Sequence, residues 1–259
     1  MTIDNPVRQK LLAGGTCFGT MAFDLFSPGL PAILAAGGAE YVVLDTEHSG
    51  IGMDMLKQQI GFCRGAGLVP IVRIAALARH LVCPVLDAGA MGIMVPMVET
   101  VEQAQALVSF CRYRPLGTRG LAFGLAHDGY RPGDPRAAMN AANDAILTIP
   151  MIETVAGLAN ARDILAVPGI DLGWLGHFDL TDSMGIAGQF DHPDFIAAET
   201  RLLDISRDVG KPFGWLAATG AEAHKGAARG FRCLGVSTDV ALLRAAVTAE
   251  FNAAQGKQE

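Results

Sequence analysis

The chain has no long apolar run, no basic run, no paired cysteines and few lysines, and each shortage closes a class of function. No stretch reaches the ~18 consecutive apolar residues that a membrane span needs, and residues 1–10 are polar with no apolar segment behind them, so a cytoplasmic protein is expected. Lys and Arg number 20 against 26 Asp and Glu, for a net charge of -6, which makes nucleic acid a poor partner. The five cysteines (Cys17, Cys63, Cys83, Cys111, Cys233) are odd in number and form no C-x-x-C pair. Buried thiols therefore fit better than disulfides or a zinc site.

What is present is apolar and glycine-rich: 51% hydrophobic residues and 31 Gly in 259. That length suits one (β/α)8 TIM barrel spanning 1–259 as a single domain. The pattern supports it. After a short leading helix, strands are expected at 15–21, 39–44, 69–73, 92–98, 147–152, 170–175, 213–217 and 233–236. Helices are expected at 28–36, 50–65, 78–88, 101–111, 155–166, 193–209, 221–228 and 241–254. Eight strands each followed by a helix close a parallel barrel. The alternation breaks between Arg112 and Asn140, a Gly/Pro-rich connection expected to lie over the catalytic face.

Several strands end abruptly in ionisable residues, as buried parallel strands do where they reach the active-site rim. Tyr41-Val42-Val43-Leu44 runs into Asp45, Thr46, Glu47 and His48; Val69-Pro70-Ile71-Val72 delivers Arg73. Leu147 to Ile152 leads into Glu153, and Ile170 to Gly176 leads through His177 and Phe178 into Asp179. Two carboxylates on adjacent strands can share a hard divalent cation, Mg2+ or Mn2+, with Co2+ or Zn2+ also able to occupy such a site. Each residue also has a purely structural explanation. Glu153 and Asp179 could be helix N-caps, Arg73 a surface ion pair, and His48 a satisfied structural histidine. His80, His127, His192 and His224 fall on helices or loops and carry no assigned chemistry. None of the five lysines (Lys10, Lys57, Lys211, Lys225, Lys257) ends a strand, which disfavours a Schiff base and leaves a metal to stabilise any enolate.

Taken in order, these segments carry a resemblance. Val43-Leu44-Asp45-Thr46-Glu47-His48, the Arg73 strand, Val85-Leu86-Asp87-Ala88-Gly89, Val95-Pro96-Met97-Val98, Arg112-Tyr113 with Pro115-x-Gly117-x-Arg119-Gly120, Ile152-Glu153-Thr154 and Gly176-x-x-Asp179-Leu180 resemble the HpcH/HpaI aldolase family of metal-dependent pyruvate aldolases. The resemblance implies Glu153 and Asp179 as metal ligands and His48 as general base. It implies Asp87 as the acid that holds His48, and Arg73 as the residue stabilising the transition state. Gly176 and the backbone N–H groups of Phe178 and Asp179 would hold the pyruvate carboxylate, with Asp45 and Glu47 in support. It further implies a homohexamer, a trimer of dimers, in which the last helix is exchanged between barrels. The expected reaction is reversible cleavage of a 4-hydroxy-2-oxo acid to pyruvate, or a close 2-oxo acid, and an aldehyde.

The chain departs from the family pattern in three places. Gly176-His177-Phe178-Asp179 replaces Gly-Pro-small-Asp, so that Phe178 is expected to narrow the pocket and His177 to add a titratable group. Met151 stands where a substrate-binding Gln is common, and Cys17 where an aromatic often sits. Two rival functions are citrate-synthase-like condensation of oxaloacetate with acetyl-CoA on the same scaffold, and a silent barrel that only binds an oxo acid. The second has no use for a base, and so sits poorly with His48 and Asp87.

Overall fold

The computed structural model describes residues 4–131 and 133–257. Its elements in chain order are α1 (Pro6–Leu12), β1 (Cys17–Ala22), α2 (Leu30–Ala36), β2 (Tyr41–Asp45), α3 (Met53–Gly65), β3 (Val69–Arg73), α4 (Arg79–Asp87), β4 (Gly92–Val95) and α5 (Val101–Cys111). There follow α6 (Pro135–Ala145), β5 (Leu147–Ile152), α7 (Val155–Ala166), β6 (Gly173–Leu175), α8 (His177–Ser183), α9 (Pro193–Val209), β7 (Phe213–Ala217), α10 (Gly220–Arg229), β8 (Cys233–Thr238) and α11 (Asp239–Ala254). Each strand pairs in parallel with the next, and β8 returns to β1, closing the expected (β/α)8 barrel.

The period of two along each strand sorts the apolar residues into two cores. Tyr41, Val43, Val69 and Ile71 fill the barrel together with Leu147, Ile149 and Trp174. The intervening Val42, Leu44, Val72 and Ile152 face the surrounding helices. Burial on both faces is why these strands read as unbroken apolar runs. The Trp174 ring fits because residue 214 is glycine: a Cβ there would lie 2.3 Å from the indole Cε3.

The end of the barrel where the strands begin is plugged by α1. Val7 and Leu11 join the inner core, and the Asn5 Nδ2 donates to the carbonyls of Met91 (2.9 Å) and Ala145 (2.7 Å). Beside it the Asp171 carboxylate accepts from Arg8, Arg112 and Thr148. Cys17 lies at this end too, buried against the Val7 carbonyl, so its thiol is far from the rim. Cys63, Cys111 and Cys233 are likewise buried and all five thiols are free, as expected.

Three expectations need correction. The 112–140 connection does not cover the catalytic face. It follows a helix, not a strand, and barrel helices run antiparallel to the strands, so it emerges where the strands begin. There Thr118 N–H bonds the Ser109 carbonyl at the end of α5, Arg64 from the end of α3 donates to the Ala126 carbonyl, and Arg119 meets Asp87 at the end of α4. Part of that connection is also helix, α6, started by Asp134 capping the Ala137 N–H with Pro135 in the first turn. Finally, β4 stops at Val95 rather than Val98, because Met97 takes a left-handed backbone with φ 55.

Candidate active site

The open end of the barrel gathers the sequence-predicted ionisable residues, and Asp45 organises one side of it. This fully buried carboxylate ends β2 in register with Arg73 at the end of β3. Its Oδ1 accepts from Arg73 Nε (2.6 Å) and from the Glu47 N–H (3.2 Å), and its Oδ2 from the His48 N–H (2.9 Å). The Ser49 hydroxyl donates to the Asp45 carbonyl. One carboxylate therefore fixes both the guanidinium and the turn that carries His48.

Arg73 is 6% exposed and is no surface ion pair. Beyond Asp45 it contacts Glu47 at 3.2 Å, and its Cζ lies 5.5 Å from the centroid of the Phe23 ring. The Glu47 carboxyl is held above the ordinary range chiefly by burial, with Asp45 and Asp179 adding to it and Arg73 and His48 opposing. His48 is not a satisfied structural histidine: its side chain is 60% exposed, and its nearest charged contact is Glu47 at 3.8 Å. The exposed imidazole and the buried guanidinium thus share one neighbour, Glu47.

Glu153 stands across the rim from this pair. It is no helix cap, since Thr154 caps α7 through the Gly157 N–H. It is 2% exposed, and its Oε1 accepts the Met97 N–H at 2.6 Å. The left-handed turn at Met97 is what aims that N–H inward. Its Oε2 occupies space that exists only because residue 176 is glycine: a Cβ there would lie 2.0 Å from that oxygen. Burial pushes the Glu153 acid up to about 7; the Met97 N–H opposes the shift, Asp179 and Glu47 reinforce it, and Arg73 opposes it. Asp179 lies in the first turn of α8, whose N-cap is Gly176, so it is no cap either.

The donor set fits a hard divalent cation. Glu153 is buried, repelled by two neighbouring carboxylates, and has one protein donor for two oxygens. Positive charge placed between it and Asp179 would relieve each of these strains. Among the described residues no group of three or more His, Cys, Asp or Glu forms a fuller metal site, so water and substrate would complete the shell.

One departure takes a different form from the one expected. His177 adds no working titratable group: it is packed among Phe178 (4.7 Å), Phe190 (5.1 Å) and Trp215 (6.0 Å), and burial lowers its pKa to about 4. Phe178 is 62% exposed, its ring leaning on Phe190 at 5.0 Å. Met151 is buried in the barrel core.

Asp87 does not meet His48. As the last residue of α4 it lies at the opposite end of the barrel, where its Oδ1 accepts from Arg119 at 2.9 Å. The helix expected over 78–88 already implied this, because a residue that ends a helix and one that ends a strand face opposite ways. The Met97 N–H, by contrast, was hidden, since nothing in Val95-Pro96-Met97-Val98 signals a positive φ.

With this geometry in place, the likenesses to known proteins agree with one another. The family model described as HpcH/HpaI aldolase/citrate lyase matches residues 20–246. A hydroxypyruvate/pyruvate aldolase of Chromohalobacter salexigens is 35% identical over 243 residues, covering 93% of this chain and 94% of that protein. Among solved structures, an HpcH/HpaI aldolase from Desulfitobacterium hafniense superposes with a TM-score of 0.91 at 29% identity, covering 96% of each chain. The citrate synthase SbnG superposes at 0.85 with 29% identity, covering 96% of this chain and 97% of that one. Matched from β1 into α11, the chain belongs to the HpcH/HpaI aldolase/citrate lyase family.

Proposed function

We propose that this carbon–carbon lyase is a divalent-metal-dependent aldolase that reversibly cleaves a 4-hydroxy-2-oxo acid to pyruvate, or a close 2-oxo acid, and an aldehyde. One observation carries the reading. A buried, under-bonded Glu153 sits beside Asp179 on one side of the rim, and an Asp45-fixed Arg73 with an exposed His48 sits on the other.

Glu153 and Asp179 would hold the cation, Mg2+ or Mn2+ by the hardness of the donors, which when bound supplies Lewis-acid stabilisation to an enolate. The residues of the chain do the rest. The backbone N–H groups of Phe178 and Asp179, in the first turn of α8 where no intrahelical acceptor exists, receive the 2-oxo acid carboxylate beside Gly176. His48 takes the proton from the C4 hydroxyl, the C3–C4 bond breaks, the aldehyde departs and the electron pair passes to the enolate of pyruvate. Arg73, already paired to Asp45 and Glu47, presents its remaining N–H groups to the developing negative charge. A preorganised donor of this kind is worth ~3 kcal/mol at the transition state, and a positioned base contributes on the order of 100-fold or more.

The role assigned to Asp87, orienting His48, requires a second copy of the chain, because within one chain the two lie at opposite ends of the barrel. Assembly is supported by α11. Of its sixteen residues only Asp239 is buried, while Leu242, Leu243, Val247 and Phe251 are 42–63% exposed. An exchanged last helix in a homohexamer, a trimer of dimers, would cover them.

Chelator should abolish pyruvate release from a 4-hydroxy-2-oxo acid, and added Mg2+, Mn2+ or Co2+ should restore it; full activity in chelator would remove the metal role. The likeness to a citrate synthase favours one alternative, condensation of oxaloacetate with acetyl-CoA. Citrate formed from those two substrates faster than pyruvate is released from the oxo acid would establish it instead.

A further inference from the structure

The Pro115-x-Gly117-x-Arg119-Gly120 motif has no part in the chemistry above, yet the structure builds a rigid support around its arginine. The Arg119 side chain is 1% exposed, and its guanidinium carbon lies 4.6 Å from the centroid of the Tyr113 ring, itself fully buried. Tyr113 is pinned in turn by Asn143 of α6, which accepts its N–H at 2.7 Å and donates to its carbonyl at 3.3 Å. The Arg119 backbone is tied to the Arg112 carbonyl at 2.9 Å, and Thr118 N–H to Ser109 at 2.7 Å. At Gly117 the turn packs so closely that a Cβ would lie 2.5 Å from the Arg112 and Ser109 carbonyl oxygens.

The far end of this chain of supports is Asp87. Arg119 Nη2 holds Asp87 Oδ1 at 2.9 Å, while the Asp87 side chain stays 29% exposed. Buried polar atoms collect at the same spot: Arg119 Nε, Tyr113 Oη, His127 Nδ1 and Asp128 Oδ1 have no partner among the described residues. A buried arginine that meets a partly exposed acid through one nitrogen fixes the direction of that acid while leaving it open to a second partner.

We propose that Arg119 is a positioning residue for the aldol reaction: stacked on Tyr113, it fixes the Asp87 carboxylate in the orientation in which a neighbouring copy's histidine, the equivalent of His48, receives it. The inference rests on the Asp87 reading above, and a double-mutant cycle separates the two. Asp87→Asn should lower kcat by ~100-fold with KM for the oxo acid little changed. Arg119→Met should lower kcat by ~10- to 100-fold with the same unchanged KM, and Arg119→Lys, which keeps a charge beside Asp87, should recover part of the loss. The double variant should be no slower than Asp87→Asn alone, because residues acting as one unit are not additive.

Each outcome decides something, with assembly measured alongside by size-exclusion chromatography. An Asp87→Asn variant with normal kcat removes the Asp87 reading and Arg119 with it. A slow Asp87→Asn beside a normal Arg119→Met, or losses that multiply in the double variant, overturns the Arg119 assignment alone. Loss of the native assembly in both Arg119 variants makes the residue a structural clamp and overturns the proposal too.

Discussion

Two buried carboxylates at opposite ends of the barrel are held in opposite ways. At the plugged end Asp171, 4% exposed, accepts five hydrogen bonds: two from Arg8, one from Arg112, and two from the Thr148 N–H and hydroxyl. At the open rim Glu153 is equally buried but accepts one, and its acid is pushed up to about 7, first by burial. A saturated carboxylate contributes to stability; an under-bonded one is held ready for a ligand. The difference sets Glu153 apart without reference to any relative.

Substitutions at each end put that contrast to the test. The largest effect should come from the rim: Glu153→Gln and Asp179→Asn should each lower kcat on the order of 10³-fold while leaving thermal stability unchanged, since neither removes a saturated network. Arg73→Ala should cost about 10²-fold in kcat with divalent-metal affinity largely retained, and an unchanged kcat would count against its role. Gly176→Ala, which places a methyl group against Glu153 Oε2, should weaken metal binding by ~10- to 100-fold without altering the metal preference. Least affected in rate should be Asp171→Asn at the plugged end. There kcat should stay within about twofold, but unfolding should become easier by about 3 kcal/mol, because Arg8 and Arg112 lose the charge that pairs them. An Asp171 variant that is stable but slow would erase the distinction between the two ends.

Much of this was legible in the sequence, for physical reasons. A strand buried on both faces must be apolar throughout, so Tyr41 to Leu44 and Leu147 to Ile152 announce themselves, and the first ionisable residue after each marks the rim. Asp45, Arg73 and Glu153 were therefore readable as rim residues, with His48 and Asp179 a few positions further on. Hidden features depend on backbone direction or on missing atoms. Met97 contributes an N–H that exists at the site only through a left-handed φ of 55. Gly176 matters for the Cβ it lacks. Helix α8 is only seven residues long, opens on a glycine without a side-chain cap, and offered little periodicity to find. Helix α6 did carry a start signal in Asp134-Pro135, obscured by the Gly- and Pro-rich stretch before it. Asp87 was misplaced for another reason: the helix expected over 78–88 ends where the strands begin, and pairing Asp87 with His48 of the same chain ignored that direction.

The central claim is that Glu153 and Asp179 together grip one divalent cation, and Mn2+ binding followed by electron paramagnetic resonance or calorimetry tests it directly. The wild-type protein should take up one Mn2+ per chain, displaceable by Mg2+, and both Glu153→Gln and Asp179→Asn should lose that binding while remaining folded. Undiminished Mn2+ binding in either variant would contradict the account.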